Sequence, residues 1–386
     1  MVTREDNEVM TRVDAASPGG QLLRRYWQPV AAASELTDEK PIKAVKVLGE
    51  KLVVYRDKSG NYGLVGEQCP HRSASLAYGR VDAEGIRCPY HGWKFNGAGR
   101  CIEQPAEPKN SNYKDEIEHP GYPVQKLGGM LFAYMGPGEA PALPRWDVLA
   151  WEHGRRWIVK QELLACNWLQ CMENSVDPSH LYWLHGATAH LGKMGEYDEK
   201  HDFIPFEHGI MKRRTTGVSG GGHGEVDQHP LLFPNTLRHV LKTKNVKDGK
   251  VRHNLQFRVP VDDTHTQVYV VYFEPSDTER TSADATVPME HLAMRDAEGH
   301  YRLDQVLIQD AMAWETQGPV MDRSREHLGT GDKGIVIFRK MLRDQIEQVR
   351  RGAAPLGCLP KEKERPLIEL DVINERIGVG VHQRVA

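Results

Sequence analysis

The chain is 386 residues long, 39% apolar and 27% charged, which is ordinary for a folded protein of about two domains and excludes general disorder. Fifty basic side chains against fifty-three acidic ones leave a formal net charge of −3, with no surplus to hold a phosphate backbone, so nucleic acid is excluded as an expected partner. The apolar run at residues 268–273 is roughly a third of what a membrane-spanning helix needs, and residues 1–14 lack the apolar core of a secretory signal; no membrane association and a cytoplasmic location are expected.

In chain order, residues 42–135 read as short β-branched and aromatic runs separated by turn signals. Residues 51–56, then Asp57-Lys58-Ser59-Gly60-Asn61, then 62–67, predict a hairpin. Further runs at 86–95 and 130–135 are bounded by glycines, so an all-β module with its core at about residues 42–136 is expected within an N-terminal part spanning 1–150. This module carries the strongest signal in the sequence: Cys69-Pro70-His71 and, sixteen residues later, Cys88-Pro89-Tyr90-His91-Gly92-Trp93. Two thiolates can hold one iron of a [2Fe-2S] cluster while two imidazoles hold the other, an asymmetry that raises the reduction potential. A structural zinc site uses the same ligand types, but it favours C-x2-C spacings over the C-x-H found here. Cys101, Cys166, Cys171 and Cys358 show no paired spacing and read as buried small apolar residues.

Residues 137–144, with three prolines and a glycine, read as a linker, and the part from 151 to 386 reads as α+β. Residues 167–185 are helix-compatible but broken at Pro178, which fits a first helical turn capped by Asp177. This stretch places Asn174, Asp177, His180 and His185 close together. Two imidazoles and a carboxylate on one face of a metal leave positions open for dioxygen and substrate, the facial-triad arrangement of non-haem Fe(II) oxygenases. His180 and His185 are offset by about 140° on an ideal helix, so convergence is expected to need a bent or unwound backbone. The third ligand must lie elsewhere; Asp310 is the first choice, Glu315 its main competitor, and Asp304 and Asp322 are weaker. Residues 251–260 and 265–273 predict two long strands, and residues 303–317 and 335–350 predict helices, the second with Phe338, Met341, Leu342, Ile346 and Val349 on one stripe. The glycine-rich loop 219–224 has no Rossmann context.

Cys69, His71, Cys88 and His91, with Gly92-Trp93 beside them, resemble the Rieske motif. The spacing from Asn174 through Asp177 and His180 to His185 resembles the signature of Rieske oxygenase catalytic subunits, and the likeness runs from Leu23-Arg24-Arg25-Tyr26-Trp27 to Arg323–Gly329. The branch it resembles is that of phthalate dioxygenase and the aromatic-acid O-demethylases. The resemblance implies an all-β Rieske domain followed by a helix-grip catalytic domain with a long antiparallel sheet and flanking helices. It also implies a [2Fe-2S] cluster, a mononuclear Fe(II) on His180, His185 and Asp310, and a homo-oligomer, a trimer or stacked trimers, without a separate β subunit. Asp177 would bond the His180 ring and bridge to the cluster ligand His91 of a neighbouring copy; Asn174 would lie near the iron.

The chain has neither a nucleotide fingerprint nor a four-cysteine ferredoxin pattern, so electrons are expected from a separate NAD(P)H-dependent reductase. The expected reaction is hydroxylation of an aromatic carboxylate with dioxygen. O-demethylation of a methoxylated aromatic acid is the alternative, and a Rieske electron carrier a more remote one. An acid group would need a cationic partner, for which Arg213, Arg214 and Arg238 are candidates, although Lys212-Arg213-Arg214 and the run 242–250 read more readily as solvated surface.

Overall fold

The computed structural model describes residues 2–186, 197–217, 224–242, 250–361 and 366–379. Two short helices open the chain, α1 (Arg4–Thr11) and α2 (Pro18–Leu23), the first closed by a reciprocal capping box between Thr3 and Asp6 and the second started by Ser17 and Pro18. Strand β1 (Trp27–Ala32) follows. Then come β2 (Ile42–Val47), β3 (Glu50–Arg56) and β4 (Tyr62–Gly66). The turn between β2 and β3 puts Leu48 and Gly49 both at positive φ, the twist a two-residue hairpin demands. Their N–H groups donate to the carbonyls of Pro260 and Val261, which ties this hairpin to the second half of the chain. The predicted turn after β3 forms as expected: Asp57 accepts from the N–H groups of Ser59 and Asn61, and Gly60 takes a positive φ.

Four short strands make a second layer, β5 (Arg80–Asp82), β6 (Gly85–Arg87), β7 (Lys94–Phe95) and β8 (Cys101–Glu103), after which β9 (Gly121–Tyr122) rejoins β4. Strands β10 (Val124–Leu127) and β11 (Met130–Tyr134) complete the N-terminal part. Here the structure departs from the expected limits. β11 pairs with β1 and β10 in a sheet of its own, so strand structure begins at Trp27, well before residue 42. β1 and β11 are buried throughout and join a core that continues into the second half, where Phe132 meets Phe257 edge to face. Composition marked residues 130–135 as a strand but held no information about its partner.

After the proline-rich linker come α3 (Asp147–Ala150) and β12 (His153–Gln161), then α4 (Trp168–Val176) and α5 (Ser179–Gly186). The chain then meanders through β13 (Glu199–Phe206), β14 (Gly209–Thr216), β15 (Glu225–Leu232), β16 (Thr236–Lys242), β17 (Val251–Asp262) and β18 (His265–Arg280). These strands form one sheet in the order β13-β14-β15-β16-β17-β18-β12, with β19 (Met289–Leu292) at its edge. Its ladders are antiparallel, as expected, except that β19 runs parallel to β12. Helices α6 (Val306–Glu315) and α7 (Lys333–Arg350) follow, and β20 (Ile373–Asn374) pairs with β15. The predicted stripe of α7 is buried at Phe338, Leu342, Ile346 and Val349, with Met341 partly buried.

One face of the large sheet carries α4 and α6. Lys212 of β14 reaches the Ser175 carbonyl of α4, Arg258 of β17 lies over Trp314 of α6, and Gln170 of α4 donates to the carbonyls of Trp314 and Gly318. The opposite face meets α3 and the N-terminal sheets, through Arg238 on Asp147 and Phe257 on Phe132. No described helix is long and apolar enough to cross a membrane.

Candidate functional site: two metal centres

Two loops at the tip of the β5–β8 layer bring the first ligand set together. In one, the Ser73 N–H donates to the Cys69 carbonyl and the Cys69 N–H to Ala74; in the other, Gly92 donates to Cys88 and Cys88 to Trp93. Gly92 at φ +75 permits the second turn. The sulfurs face inward, with Cys69 1% and Cys88 4% exposed, whereas His71 is exposed and His91 half-exposed. The two imidazoles stand 4.5 Å apart between centroids, and Trp93 stacks on His71 at 4.6 Å. Burial, and then the neighbouring Cys88 thiol, push the Cys69 thiol up to about 11, so without a cation for the two sulfurs to share it stays protonated. This donor set, thiols inward and imidazoles at the solvent edge, fits a cluster whose histidine-held iron faces outward. Cys101, Cys166 and Cys171 are buried as expected, and Cys358 is half-buried.

The second set lies between α5 and α6. His180, His185 and Asp310 each offer one ligand atom, all within 4.8 Å of one another. Asp310 Oδ1 is 3.1 Å from His185 Nε2 and 3.6 Å from His180 Nε2, and the two rings are nearly perpendicular. Convergence needs no unwinding, contrary to the expectation from helix geometry: α5 is continuous, and the reach of two differently turned imidazoles spans the offset. As expected, Asp177 caps α5, its Oδ1 accepting from the Ser179 N–H at 2.8 Å.

Each imidazole is oriented through its other nitrogen. His180 Nδ1 donates to the Asp177 backbone carbonyl at 2.5 Å, and His185 Nδ1 donates to Gln309 Oε1 at 2.7 Å. Both Nε2 lone pairs are thereby aimed at Asp310. His185 Nε2 and Asp310 Oδ1 are buried without a hydrogen-bond partner of acceptable angle, an arrangement that a cation accepting both lone pairs relieves. Burial drives His180 down to about 4, and Asp310 is held below the usual carboxylate range by the histidines and Arg258 against the opposing effect of burial. His185 moves the other way: burial lowers it, but the Asp310 carboxylate beside it raises it more, so the proton this pair attracts is one a bound cation would displace. Two imidazole nitrogens and one carboxylate are a donor set that fits a divalent non-haem iron.

The structure keeps Asp310 as the carboxylate beside the histidines and corrects three other expectations, on Asp177, on the arginines and on the solvation of Lys212 and Arg214. It is the backbone carbonyl of Asp177, not its carboxylate, that holds His180. Glu315 is committed to the Ala165 N–H, Arg295 and Tyr301, Asp322 caps Ser324, and Asp304 is exposed, so Asp310 is the carboxylate that joins the histidines. Strand alternation also separates the three arginines. Lys212 and Arg214 lie on the α4 side of β14, which turns Arg213 to the other face. Arg238 likewise points away, into a bidentate pair with Asp147. Arg214, on the α4 side, is tied to Glu199 and Asp227. Lys212 and Arg214 are buried, not solvated. Most of the segments 219–224 and 242–250 lie outside the described residues.

Asn174 is half-buried on α4, its carbonyl accepting from the Asp177 N–H. Gln309 was not singled out from sequence, although it adjoins Asp310; an amide beside a ligand carries no signal until the fold places it on a ring.

Residues 26–123 match the Rieske [2Fe-2S] domain family, and residues 290–375 match the family described as LigXa C-terminal domain like. The 5,5'-dehydrodivanillate O-demethylase oxygenase subunit of Sphingobium sp. (strain NBRC 103272 / SYK-6) is 39% identical over 97% of this chain and 87% of its own. The phthalate 4,5-dioxygenase oxygenase subunit of Pseudomonas putida is 32% identical over 92% of this chain and 89% of its own. The chain belongs to the Rieske non-haem iron oxygenases. A solved structure of NdmA from Pseudomonas putida CBB5 with caffeine shares the fold of this Rieske oxygenase, with a TM-score of 0.67 at 21% identity over 89% of this chain and 97% of that one. A Rieske cluster and a mononuclear iron are thus its cofactors, and a separate reductase supplies its electrons.

Proposed function

We propose that this protein is the terminal oxygenase of an O-demethylating system acting on a methoxylated aromatic acid. The observation that carries this reading is likeness along nearly the whole chain to a relative named for O-demethylation, at 39% identity, against 32% for one named for phthalate 4,5-dioxygenation. Hydroxylation of an aromatic carboxylate without loss of methyl is the second reading, supported by that phthalate relative.

In this reading Cys69, His71, Cys88 and His91 hold the cluster, and His180, His185 and Asp310 hold the iron. The bound iron supplies one-electron chemistry that lets dioxygen react with a C–H bond. Asn174, in the last turn of α4, and Asp177, on the turn that links α4 to α5, stand beside it. The overall change consumes one methyl ether, one dioxygen, two electrons and two protons, and yields a phenol, formaldehyde and water. The catalytic domain begins after the linker, near residue 151, and the working unit is a homo-oligomer, a trimer or stacked trimers. Arg213 and Arg238 drop out as partners for the substrate's acid group, since they turn away from the iron side of the sheet, and Arg214 already carries two carboxylates.

The test supplies the purified protein with reductase, NADH and a panel of methoxybenzoates and plain aromatic acids. Formaldehyde released in step with NADH consumption supports demethylation. A cis-diol formed without formaldehyde moves the assignment to the second reading.

A further inference from the structure

One transverse row of side chains crosses the face of the large sheet that carries α4 and α6. Lys212 pairs with His229 across β14 and β15, and the His229 and His239 rings stack at 4.1 Å across β15 and β16. His239 pairs with Asn254 of β17, and Asn254 with Tyr272 of β18, which stacks on Trp157 of β12 at 5.1 Å. Directly paired residues of antiparallel strands share a face, so all six lie on the side where Lys212 meets α4.

Two members of this row are buried without the partners such groups require. Asn254 is 0% exposed, its Oδ1 accepts from Gln256, and its Nδ2 donor has no partner. Lys212 is 5% exposed and, among the described residues, no carboxylate lies within ion-pairing distance; one N–H caps the Ser175 carbonyl and two donors remain. Ser175, whose carbonyl it caps, lies two residues before Asp177, the cap of the helix that carries His180 and His185, which puts the ammonium on the iron side of the sheet. Between them, His239 is partly exposed, and its partner His229 is fixed by Asp227 and the Val240 N–H. A buried ammonium in contact with no carboxylate among the described residues and a buried amide N–H without an acceptor are each costly, and a ligand carrying an anion and a second oxygen satisfies both at once.

We propose that Lys212 and Asn254 are the two specificity-determining residues of the substrate site: Lys212 receives the acid group of an aromatic acid, Asn254 Nδ2 donates to a second oxygen on its ring, and the ring lies over His239. This rests on the reading of the protein as an aromatic-acid oxygenase and names the groups that select the substrate.

The test compares holoenzyme variants by equilibrium dialysis of unreduced protein, with no turnover, and by kcat/KM. The probes are a methoxybenzoate, its methyl ester, and an analogue lacking the second ring oxygen. In Lys212→Met, affinity and kcat/KM for the acid fall roughly 10- to 100-fold, those for the ester change less than about 3-fold, and Lys212→Arg recovers most of the acid preference. In Asn254→Leu, the loss is about 5- to 10-fold for probes with the ring oxygen and absent for the analogue lacking it. Equal losses for acid and ester, with iron content unchanged, overturn the proposal and leave Lys212 as a cap on α4. If Lys212→Met fails to fold, the Lys212→Arg and Asn254→Leu profiles decide. Failure of the broader reading shows differently, as a wild-type protein that turns over none of the aromatic probes; dialysis then still decides whether the row binds acids in preference to esters.

Discussion

Gln309 and Asp310 are neighbours on one helix with opposite duties, one steering a ring and the other completing the metal set. Asp310→Ala removes the carboxylate and leaves two imidazoles, too few to retain iron. The variant is expected to fall from about three irons per chain to about two while its Rieske absorption and reduced paramagnetic signal stay unchanged, as metal analysis and spectroscopy will check. Gln309→Leu leaves all three ligands but frees His185 Nδ1, so the ring can turn and change tautomer. Affinity for the mononuclear iron is expected to drop roughly 10- to 100-fold, measured by competition with a chelator, again without change in the cluster. Cys69, His71, Cys88, His91, His180 and His185 were legible from spacing, because a ligand set needs particular atoms at short range along the chain. Asp310 was chosen among carboxylates of equal chemistry, and only packing shows that Glu315 is bound to Arg295 and Tyr301.

The helix that leads into the histidine ligands, α4, is locked to the rest of the domain by buried charge. Glu173 of α4 takes a bidentate contact from Arg323 and a further one from Arg339 of α7, and Arg339 continues to Glu326. Removing one partner leaves an uncompensated buried charge, so Glu173→Gln is expected to cost about 3–5 kcal/mol, read as a lower denaturant midpoint. On the other face, His253 accepts from Arg238 beside Asp147, and burial together with that guanidinium drives the imidazole down to about 3. The native state therefore binds fewer protons than the unfolded chain between pH 6.5 and pH 3, and the contribution of this site to stability is lost as pH falls through that window. Thermal unfolding from pH 7 to pH 5 should show a steep decline in the parent protein and a shallower one in His253→Gln, in which no imidazole has to stay neutral. An equal slope in both would remove His253 from the acid limb. Periodicity revealed α7, β17 and β18 in the sequence, because each repeats one pattern over many residues. It did not reveal the pairing of β11 with β1, or which arginines share a face with the iron site, since strand alternation fixes direction only once the register is known.

At the scale of the whole molecule, the two centres sit on different layers, and in the proposed homo-oligomer charge would pass between copies at their exposed edges. His71 is exposed and His91 half-exposed, so the cluster presents its imidazoles to whatever docks there. Asp177 is partly exposed; its Oδ1 accepts from Ser179, and among the described residues no donor reaches Oδ2, which leaves that oxygen for an incoming N–H. An imidazole of a neighbouring copy is such a donor, and its bond to Asp177 would run through the Asp177 backbone to His180. Asp177→Asn keeps the cap on α5 and the carbonyl that holds His180, so both metals are expected to stay bound while turnover falls by at least tenfold. Co-assembly isolates the inter-copy route from a defect within one chain. A protein carrying Asp177→Asn has an intact cluster to donate, and one carrying His91→Ala has an intact Asp177 and iron to receive. Each alone should be nearly inactive, whereas mixed oligomers formed by coexpression should recover part of the activity, because an intact cluster then faces an intact acceptor across one junction. Recovery cannot arise if charge moves only within a chain, and its absence in verified mixed oligomers would sink the bridge.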